Sequence, residues 1–154
     1  MRIIDEKATK HQFAIGFVVS RFNEGFTRPL LDGALARLKE RGFEEADITV
    51  VWVPGAVEIP IAAQRLAQLG TLEAIIALGA VIRGETTHYD YVCSQVSEGC
   101  QTVALQNDVP VIFGVLTTEN EAQAQDRIGG KHGHKGHDAV DAAIEIVSTL
   151  RQIG

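Results

Sequence analysis

Four nearly uninterrupted runs of apolar residues constrain the fold of this chain more than any other feature. They lie at Phe13–Val19, Ile48–Val53, Ala74–Ala80 and Val111–Leu116. None of them alternates apolar with polar residues, as a strand with one solvent-exposed face does. Continuous apolar strands are typical of parallel sheets that helices cover on both faces. The runs therefore predict four buried parallel strands.

Each apolar run is followed by a segment with the residue spacing of an amphipathic helix. The apolar stripes are Leu30, Leu31, Ala34, Leu35 and Leu38; Ile59, Ala62, Ala63, Leu66 and Leu69; Val92, Val96, Cys100 and Val103; and Val140, Ala143, Ile144, Val147 and Leu150. The first two helices are predicted to stop at Gly42 and Gly70, because glycine favours helix ends. Residues 20–29 are predicted as a loop, and Pro29 either lies near the first turn of the helix or kinks it.

Strands that alternate with helices predict an α/β fold with right-handed crossovers. We expect a three-layer, doubly wound, flavodoxin-like fold, in which a four-stranded parallel sheet of order 2-1-3-4 carries helices on both faces. A short helix at Asn120–Arg127 and a last helix at Asp138–Arg151 complete the pattern. Residues 1–12 are predicted as an N-terminal arm, and residues 13–154 as a single domain.

The composition limits the classes of partner. The chain has 154 residues, 22% of them charged, and a formal net charge of −6. This balance argues against a nucleic acid or an anionic membrane as the partner. No apolar run has the length of a membrane span and no signal peptide is recognised, so a cytoplasmic location is expected. Cys93 and Cys100 are about 10 Å apart on a predicted helix, too far for a disulfide, so reduced thiols are expected.

Three unusual loops are predicted at one edge of the sheet. Ligands of doubly wound folds bind outside the carboxyl ends of the strands, where the direction of winding reverses. The first strand leads into Ser20–Asn23, the second into the turn PGAVE at 54–58, and the third into Ala80–His88. The third loop opens through glycines into a helix start, whose N–H groups suit a phosphate or a carboxylate. We expect the three loops to form one crevice.

Three side chains of this predicted crevice suggest chemistry, and each has a simpler interpretation. Phe22 could stack on a flat ring, or it could fill the core. Glu58 could accept hydrogen bonds from hydroxyl groups, or it could only favour the helix dipole. His88 could transfer protons to a ligand, or it could lie by chance in a surface turn. Because all three are predicted at one edge, we favour the functional interpretation.

A glycine-rich segment, GGKHGHKGH at 129–137, is the second candidate for ligand binding. Lys131 and Lys135 beside glycines, just before a helix, are typical of an anion site. Arg127 lies just upstream, and its planar guanidinium suits phosphate. The segment lacks the P-loop pattern. Its histidines have spacings that could suit a transition metal, but the neighbouring lysines would repel a cation, so no metal site is predicted.

Several segments of the chain are similar to the lumazine synthase family, whose members catalyse the penultimate step of riboflavin biosynthesis. They are RFN at 21–23, VPGAVEIP at 53–60, ALGAVIRGETTHYDYV at 77–92, PVIFGVLTTEN at 110–120 and the loop at 127–136. The resemblance runs from about residue 13 to the last helix. Its VIRGxTxH and FGVLTTEN segments are long and specific.

The resemblance implies a condensation that needs neither cofactor nor metal. The substrates would be 5-amino-6-(D-ribitylamino)uracil and 3,4-dihydroxy-2-butanone 4-phosphate, and the products 6,7-dimethyl-8-ribityllumazine, phosphate and water. By matching positions, His88 would be the proton-transfer residue. The pyrimidine and ribityl site would consist of Phe22, Ala56, Val57, Glu58, Ala80, Val81, Ile82 and Phe113. The phosphate site would consist of Glu85, Thr86, Arg127 and Lys135.

The resemblance also implies a homo-oligomer. Members of the family form pentamers, and some close into a shell of twelve pentamers; the sequence leaves both assemblies open. The active site would be shared between neighbouring subunits, with Phe113 supplied by the neighbour. The arm, with Ile3 and Ile4, could add a strand to a neighbour's sheet. Riboflavin synthase could be a further partner.

The glycine-rich segment departs from the family pattern. The chain has KHGHKG at 131–136, where KAGNKG is common in the family. His132 and His134 thus place two titratable groups beside the predicted phosphate site, and His137 follows. We hypothesise that partial protonation of these histidines below about pH 6.5 tightens phosphate binding.

Two other functions are compatible with such a fold, since fold alone does not fix function. One is a non-catalytic role, as a lumazine- or flavin-binding protein or as a shell protein. The other is an enzyme that dismutates two lumazines into riboflavin. A binding protein needs neither His88 nor a phosphate clamp, and the dismutating enzyme has no use for a phosphate site. The presence of both features favours the synthase.

Overall fold

The structure is a computed structural model that describes residues 1–5 and 13–154. Its elements are β1 (Ile15–Ser20), α1 (Glu24–Glu40), β2 (Ile48–Val53), α2 (Ile59–Gln68), β3 (Ala74–Ile82), α3 (His88–Asn107), β4 (Val111–Thr118), α4 (Glu121–Gln125), β5 (Ile128–Gly130), β6 (Gly133–His134) and α5 (Lys135–Ile153). Among these described residues, no helix is long and apolar enough to cross a membrane. The predicted arm lies partly outside the described residues, and the division into arm and domain stays a prediction.

The four long strands form one parallel sheet in the order β2-β1-β3-β4, which confirms the predicted fold class. Ile15 of β1 pairs with Ile48 on one side and with Ala74 on the other. On the far side of β3, Ile75 pairs with Val111 of β4. The direction of winding therefore reverses between β1 and β3, and the loops after these strands share one edge of the sheet.

Different pairs of helices cover the two faces of the sheet. Helices α1 and α5 enclose a core that contains Phe17, Leu30, Leu38, Ile76, Val140 and Ile144. Helices α2 and α3 enclose a second core with Val18, Ile59, Ala63, Ile75, Val96 and Cys100. Consecutive strand residues point to opposite faces, so Phe17 and Val18 belong to different cores although both are fully buried. This arrangement explains why the strands are apolar at nearly every position.

The first helix begins earlier than predicted. Helix α1 starts at Glu24, so the prediction of a loop across residues 20–29 is wrong beyond Asn23. Asn23 adopts the left-handed conformation with φ 62° and ψ 42° and turns the chain from β1 into the helix. Asparagine tolerates this conformation better than most residues do. Pro29 lies inside α1, beyond its first turn, where the missing N–H removes one helical hydrogen bond to Gly25.

The segment predicted as a glycine-rich loop folds into a hairpin. Strands β5 and β6 pair antiparallel, with Ile128 opposite His134. Gly129 and Gly133 have φ values of 100° and 74°, a region that glycine adopts without strain. Helix α5 begins directly after the hairpin at Lys135, three residues before the predicted start. The first turn of α5 is therefore held against the hairpin.

Candidate active site

The loops after β1, β2 and β3 enclose a cavity of about 410 Å³ at the carboxyl edge of the sheet, hereafter the crevice. Its lining includes nine residues that the sequence predicted for the site: Phe22, Ala56, Val57, Glu58, Ala80, Val81, Ile82, Thr86 and His88. Asn23, Gly55, Gly84, Tyr89 and Val92 complete the lining. The three loops thus converge as their positions after parallel strands predict.

Hydrogen bonds to the ends of the neighbouring strands fix the loop that carries Phe22. The backbone N–H of Phe22 donates to the carbonyl of Pro54 over 2.9 Å. On the other side, Nδ2 of Asn23 donates to the carbonyl of Ala80 over 2.8 Å. The Phe22 residue is 71% exposed, so it does not fill the core. Its ring is available to stack on a flat ligand.

Glu58 offers a hydrogen-bond acceptor without a partner among residues 1–5 and 13–154. It lies in the 3-10 turn Ala56–Glu58 that leads into α2, and its side chain does not cap that helix. Among the described residues, its Oε2 is one of three buried side-chain oxygens without a hydrogen-bond partner. Buried polar atoms without partners are rare and call for an explanation. A hydroxyl group bound in the crevice would satisfy this oxygen.

His88 is the first residue of α3 and is exposed within the crevice. Its backbone N–H donates to Oγ1 of Thr86 over 3.3 Å, and the side chain of Thr87 does not cap the helix. The first N–H groups of a helix have no partner within the helix, so this end of α3 suits an anion. Glu85 lies in the same loop and is exposed, but it is not among the lining residues of the crevice.

Arg83 fastens the loop between β3 and α3. Its guanidinium pairs with Glu119 at 2.7 Å and with Asp90 at 3.2 Å, and it lies 4.3 Å from the centre of the Tyr89 ring. Burial raises the pKa of Tyr89, so its hydroxyl stays protonated and can donate a hydrogen bond.

Sequence reasoning did not select Asn23 or Tyr89 as site residues. Both lie next to predicted site residues, Phe22 and His88, and within the segments 21–23 and 77–92 that are similar to the family.

Phe113, Arg127 and Lys135 line a separate cavity of about 370 Å³, hereafter the second cavity, between β4 and the start of α5. Its lining shares no residue with that of the crevice. Phe113 is 42% exposed there, and Nζ of Lys135 lies 3.5 Å from the carboxylate of Asp138. Nη1 of Arg127 donates to the carbonyl of Gln123 over 2.8 Å. Within the described part of the chain, these three predicted site residues therefore do not join the crevice.

The histidines of the glycine-rich segment lie in different environments. His132 is exposed near the tip of the hairpin, whereas His134 is partly buried against α1. Burial, and then the proximity of His137, lower the pKa of His134, so it is neutral at neutral pH. The hypothesis that partial protonation of these histidines below about pH 6.5 tightens phosphate binding stays a prediction. Across residues 1–5 and 13–154, no three His, Cys, Asp or Glu side chains are grouped so as to hold a metal ion.

Comparison with known proteins identifies the family. The sequence model of the 6,7-dimethyl-8-ribityllumazine synthase family matches residues 12–151. The chain belongs to this family. Curated proteins named 6,7-dimethyl-8-ribityllumazine synthase from Coxiella burnetii strains CbuG_Q212, RSA 493 / Nine Mile phase I and Dugway 5J108-111 are each 53% identical over 145 residues. The match covers 94% of this chain and 96% of each relative, and it confirms the resemblance found in the motifs.

The two cavities of this lumazine synthase family member differ in their chemistry. The crevice combines an exposed aromatic ring, a carboxylate oxygen without a partner and an imidazole at a helix start. These groups can stack on a ring, accept hydrogen bonds and transfer protons. The second cavity combines two cations with one carboxylate and an exposed aromatic ring. The cations suit an anionic group such as a phosphate, and the aromatic ring can stack on a flat molecule.

Proposed function

We propose that this chain condenses 5-amino-6-(D-ribitylamino)uracil with 3,4-dihydroxy-2-butanone 4-phosphate, giving 6,7-dimethyl-8-ribityllumazine, phosphate and water in riboflavin biosynthesis. The observation that carries the proposal is the meeting of Phe22, Glu58 and His88 in one crevice. The family match over residues 12–151 and the names of the relatives support the same reaction.

The crevice binds the ribitylaminouracil in this proposal. The ring of Phe22 stacks on the pyrimidine, because its exposed face is the only large apolar surface of its loop. Oε2 of Glu58 accepts a hydrogen bond from a ribityl hydroxyl, which removes the cost of an unpaired buried acceptor. Ala56 and Val57, with the end of β3 at Ala80–Ile82, form the walls of the ring pocket.

The phosphate of the second substrate binds at the start of α3 and to two cations. The backbone N–H groups of Glu85 and Thr86 precede the helix, whose N-terminal dipole favours negative charge. Arg127 supplies a bidentate guanidinium, and Lys135 supplies a point charge. Neutralising the phosphate in this way also makes it a better leaving group.

His88 moves protons during the condensation. The aromatic amine of the uracil attacks the ketone carbon, and the resulting carbinolamine loses water to give an imine. A proton then leaves the neighbouring hydroxyl-bearing carbon, and its electron pair forms a C=C bond to the terminal carbon and expels phosphate as the C–O bond breaks. The resulting enol moves its hydroxyl proton to the terminal carbon, which becomes a methyl group beside a new carbonyl. The ribityl-bearing nitrogen closes the second ring on the new carbonyl with loss of water. An imidazole can accept a proton on one ring nitrogen and donate a proton from the other, so it can take and return these protons.

We also propose a cytoplasmic pentamer in which each active site is shared by two subunits. The support is the separation of the predicted site residues into two cavities without a common lining residue. A neighbour that placed its Phe113 opposite Phe22 would sandwich the pyrimidine between two rings. The same contact would bring Arg127 and Lys135 towards the helix start at His88. Cys93 and Cys100 are both free thiols, as is usual in a reducing compartment.

A mixing assay tests the reaction. Both substrates are added to the purified protein, and formation of the fluorescent lumazine is followed beside the spontaneous background. His88→Ala should lower kcat by about 10²–10⁴-fold, because general acid–base catalysis contributes about that much. Arg127→Ala should raise KM for the butanone phosphate more than KM for the uracil. Lys39→Ala and Arg65→Ala are matched controls, because these exposed residues line neither cavity.

The assay separates the synthase from its rivals. Saturable synthesis by the parent protein, weakened in His88→Ala and Arg127→Ala but not in the controls, would support the proposed roles. Product formation at the uncatalysed rate, with tight binding of lumazine or flavin, would instead indicate a binding protein. Conversion of lumazine alone into riboflavin would indicate the dismutating enzyme.

A further inference from the structure

His134 occupies a position where its imidazole caps a helix. It is the last residue of β6 and the N-cap of α5, with extended backbone angles of φ −126° and ψ 110°. Its Nδ1 accepts hydrogen bonds from the backbone N–H groups of Gly136 at 3.1 Å and His137 at 3.4 Å. Only an unprotonated ring nitrogen can accept these bonds. The imidazole thus satisfies two N–H groups that otherwise have no partner within the helix.

The other edge of the imidazole is fixed by helix α1. The carbonyl of Pro29 acts on the imidazole of His134 as a hydrogen-bond acceptor, since proline has no N–H, and it favours the protonated ring. Because Nδ1 already accepts, Nε2–H is the donor. The two contacts together select the neutral tautomer with its proton on Nε2. The histidine therefore links the start of α5 to the middle of α1.

The slot for this ring depends on two glycines. A Cβ atom added to Gly33 of α1 would overlap the imidazole of His134. A Cβ atom added to Gly136 would lie 2.9 Å from Cε1 and 3.1 Å from Nδ1 of the same ring, and it would overlap the carbonyl of Leu30. The ring of His137 stacks on that of His134, with 4.4 Å between the centroids. The position of the imidazole is thus set from both helices.

The capped turn carries one cation of the second cavity, Lys135, and is hydrogen-bonded to the other, Arg127. Lys135 follows His134 directly, and its backbone N–H donates to the carbonyl of Arg127 over 2.8 Å. The side chains of Lys135 and Arg127 both line the second cavity. If the first turn of α5 frayed, Lys135 would lose its place and Arg127 would lose the backbone contact that spans the hairpin.

We propose that His134 is a positioning residue for the phosphate end of the substrate. Its neutral imidazole holds Lys135 and Arg127 in place, and its protonation disrupts this arrangement. This inference rests on the proposed function, because it takes these cations to bind phosphate. Protonated Nδ1 can no longer accept the two N–H groups, and a positive charge at this helix end opposes the dipole. Acid therefore weakens phosphate binding through His134, which is the reverse of the effect expected from the sequence.

The groups around the imidazole act on its protonation in both directions. Burial is the largest influence and lowers the pKa of His134, and His137 on α5 lowers it further. The carbonyl of Pro29 and the carboxylate of Asp138 raise it. Helix α1 presents Gly33 and the carbonyl of Pro29, and the hairpin presents Gly129, none of which titrates.

Two substitutions separate capping from titration. His134→Asn places a strong N-cap residue without a titratable group, and His134→Ala removes the cap. At pH 7.5 we expect His134→Ala to raise KM for the butanone phosphate about fivefold, the factor that corresponds to a typical cap. KM for the uracil and kcat should change little, and His134→Asn should stay close to the parent. Binding of inorganic phosphate, measured by calorimetry, should follow the same order.

The pH profile and the ring signals give independent readouts. Between pH 7.5 and 5.5, KM for the butanone phosphate should rise more steeply in the parent than in His134→Asn. Nitrogen NMR of the parent at pH 7.5 should show an unprotonated Nδ1 and a protonated Nε2 for His134. Parallel pH profiles in the parent and His134→Asn, or equal losses in the Ala and Asn variants, would overturn the inference while synthesis by the parent persists. Absence of synthesis by the parent would instead overturn the proposed function, and this inference with it.

Discussion

The crossing of helices α2 and α3 gives a sharp test of the packing beside the crevice. Gly99 of α3 faces Pro60 of α2, and a Cβ atom added to Gly99 would lie 2.6 Å from Cγ and 2.7 Å from Cβ of that proline. Carbon atoms pack at about 3.5–4.0 Å, so the helices would have to separate by about 1 Å. The proline ring is rigid and cannot rotate away. Gly99→Ala should therefore strain the contact.

The expected magnitude follows from two opposing effects. Replacing glycine by alanine inside a helix contributes about 1 kcal/mol of stability, whereas overpacking costs about 1–3 kcal/mol. We expect a net loss of about 1 kcal/mol for Gly99→Ala, which lowers Tm by about 3 °C in a domain of this size. Gly25→Ala is the matched control, because a Cβ atom at this helical glycine meets nothing within 4 Å. That variant should be as stable as the parent or more so.

Thermal unfolding at equal subunit concentrations measures both variants. Because Pro60 closely follows the turn at Ala56–Glu58, we also expect Gly99→Ala to raise KM for the ribitylaminouracil. The reasoning is refuted if Gly99→Ala raises Tm as much as Gly25→Ala does, since the two helices would then be further apart than the structure places them.

Two further predictions follow from groups whose pKa is shifted. Burial raises the pKa of Cys100 to about 11, so its thiolate fraction at pH 8 is about one part in a thousand. A thiol reagent should therefore leave Cys100 unmodified in the folded protein and modify it when the protein is unfolded in urea. The pKa of His134 is lowered by burial from its ordinary value of about 6.5, so its contribution to stability is complete above pH 6.5 and is lost as pH falls towards the folded-state pKa. Urea unfolding at pH 7.5 and 5.5 should show a larger loss in the parent than in His134→Asn; equal losses would contradict this.

Hydrophobic pattern was sufficient to predict the sheet and most of the helices. The four apolar runs became β1 to β4, because strands buried on both faces need apolar residues at every position. The pattern failed where local geometry decides. Helix α1 begins at Glu24 because Asn23 supplies a left-handed residue there, and no periodicity signals such a turn. The hairpin at Ile128–His134 is too short and too rich in glycine to show any period.

The sequence predicted which loops form the crevice, but not which residues contact one another near the site. The positions of Phe22, Glu58 and His88 after parallel strands predicted their meeting in the crevice. The role of His134 depends on Pro29 and Gly33, about a hundred residues away in sequence, and histidine is not a usual capping residue. The placement of Phe113, Arg127 and Lys135 in a second cavity depends on the folded chain and has no signal in the sequence.

The separation of the crevice from the second cavity bears on how defective subunits behave in mixtures. If the active site is shared between two subunits, a His88→Ala subunit still has an intact second cavity with Phe113. A Phe113→Ala subunit still has an intact crevice. In rings assembled at random from equal amounts of the two, about one quarter of the interfaces pair two intact halves. Two inactive proteins, refolded together, would thus regain part of the activity that neither has alone. Loss of function in one gene copy could then be masked by a different loss in another.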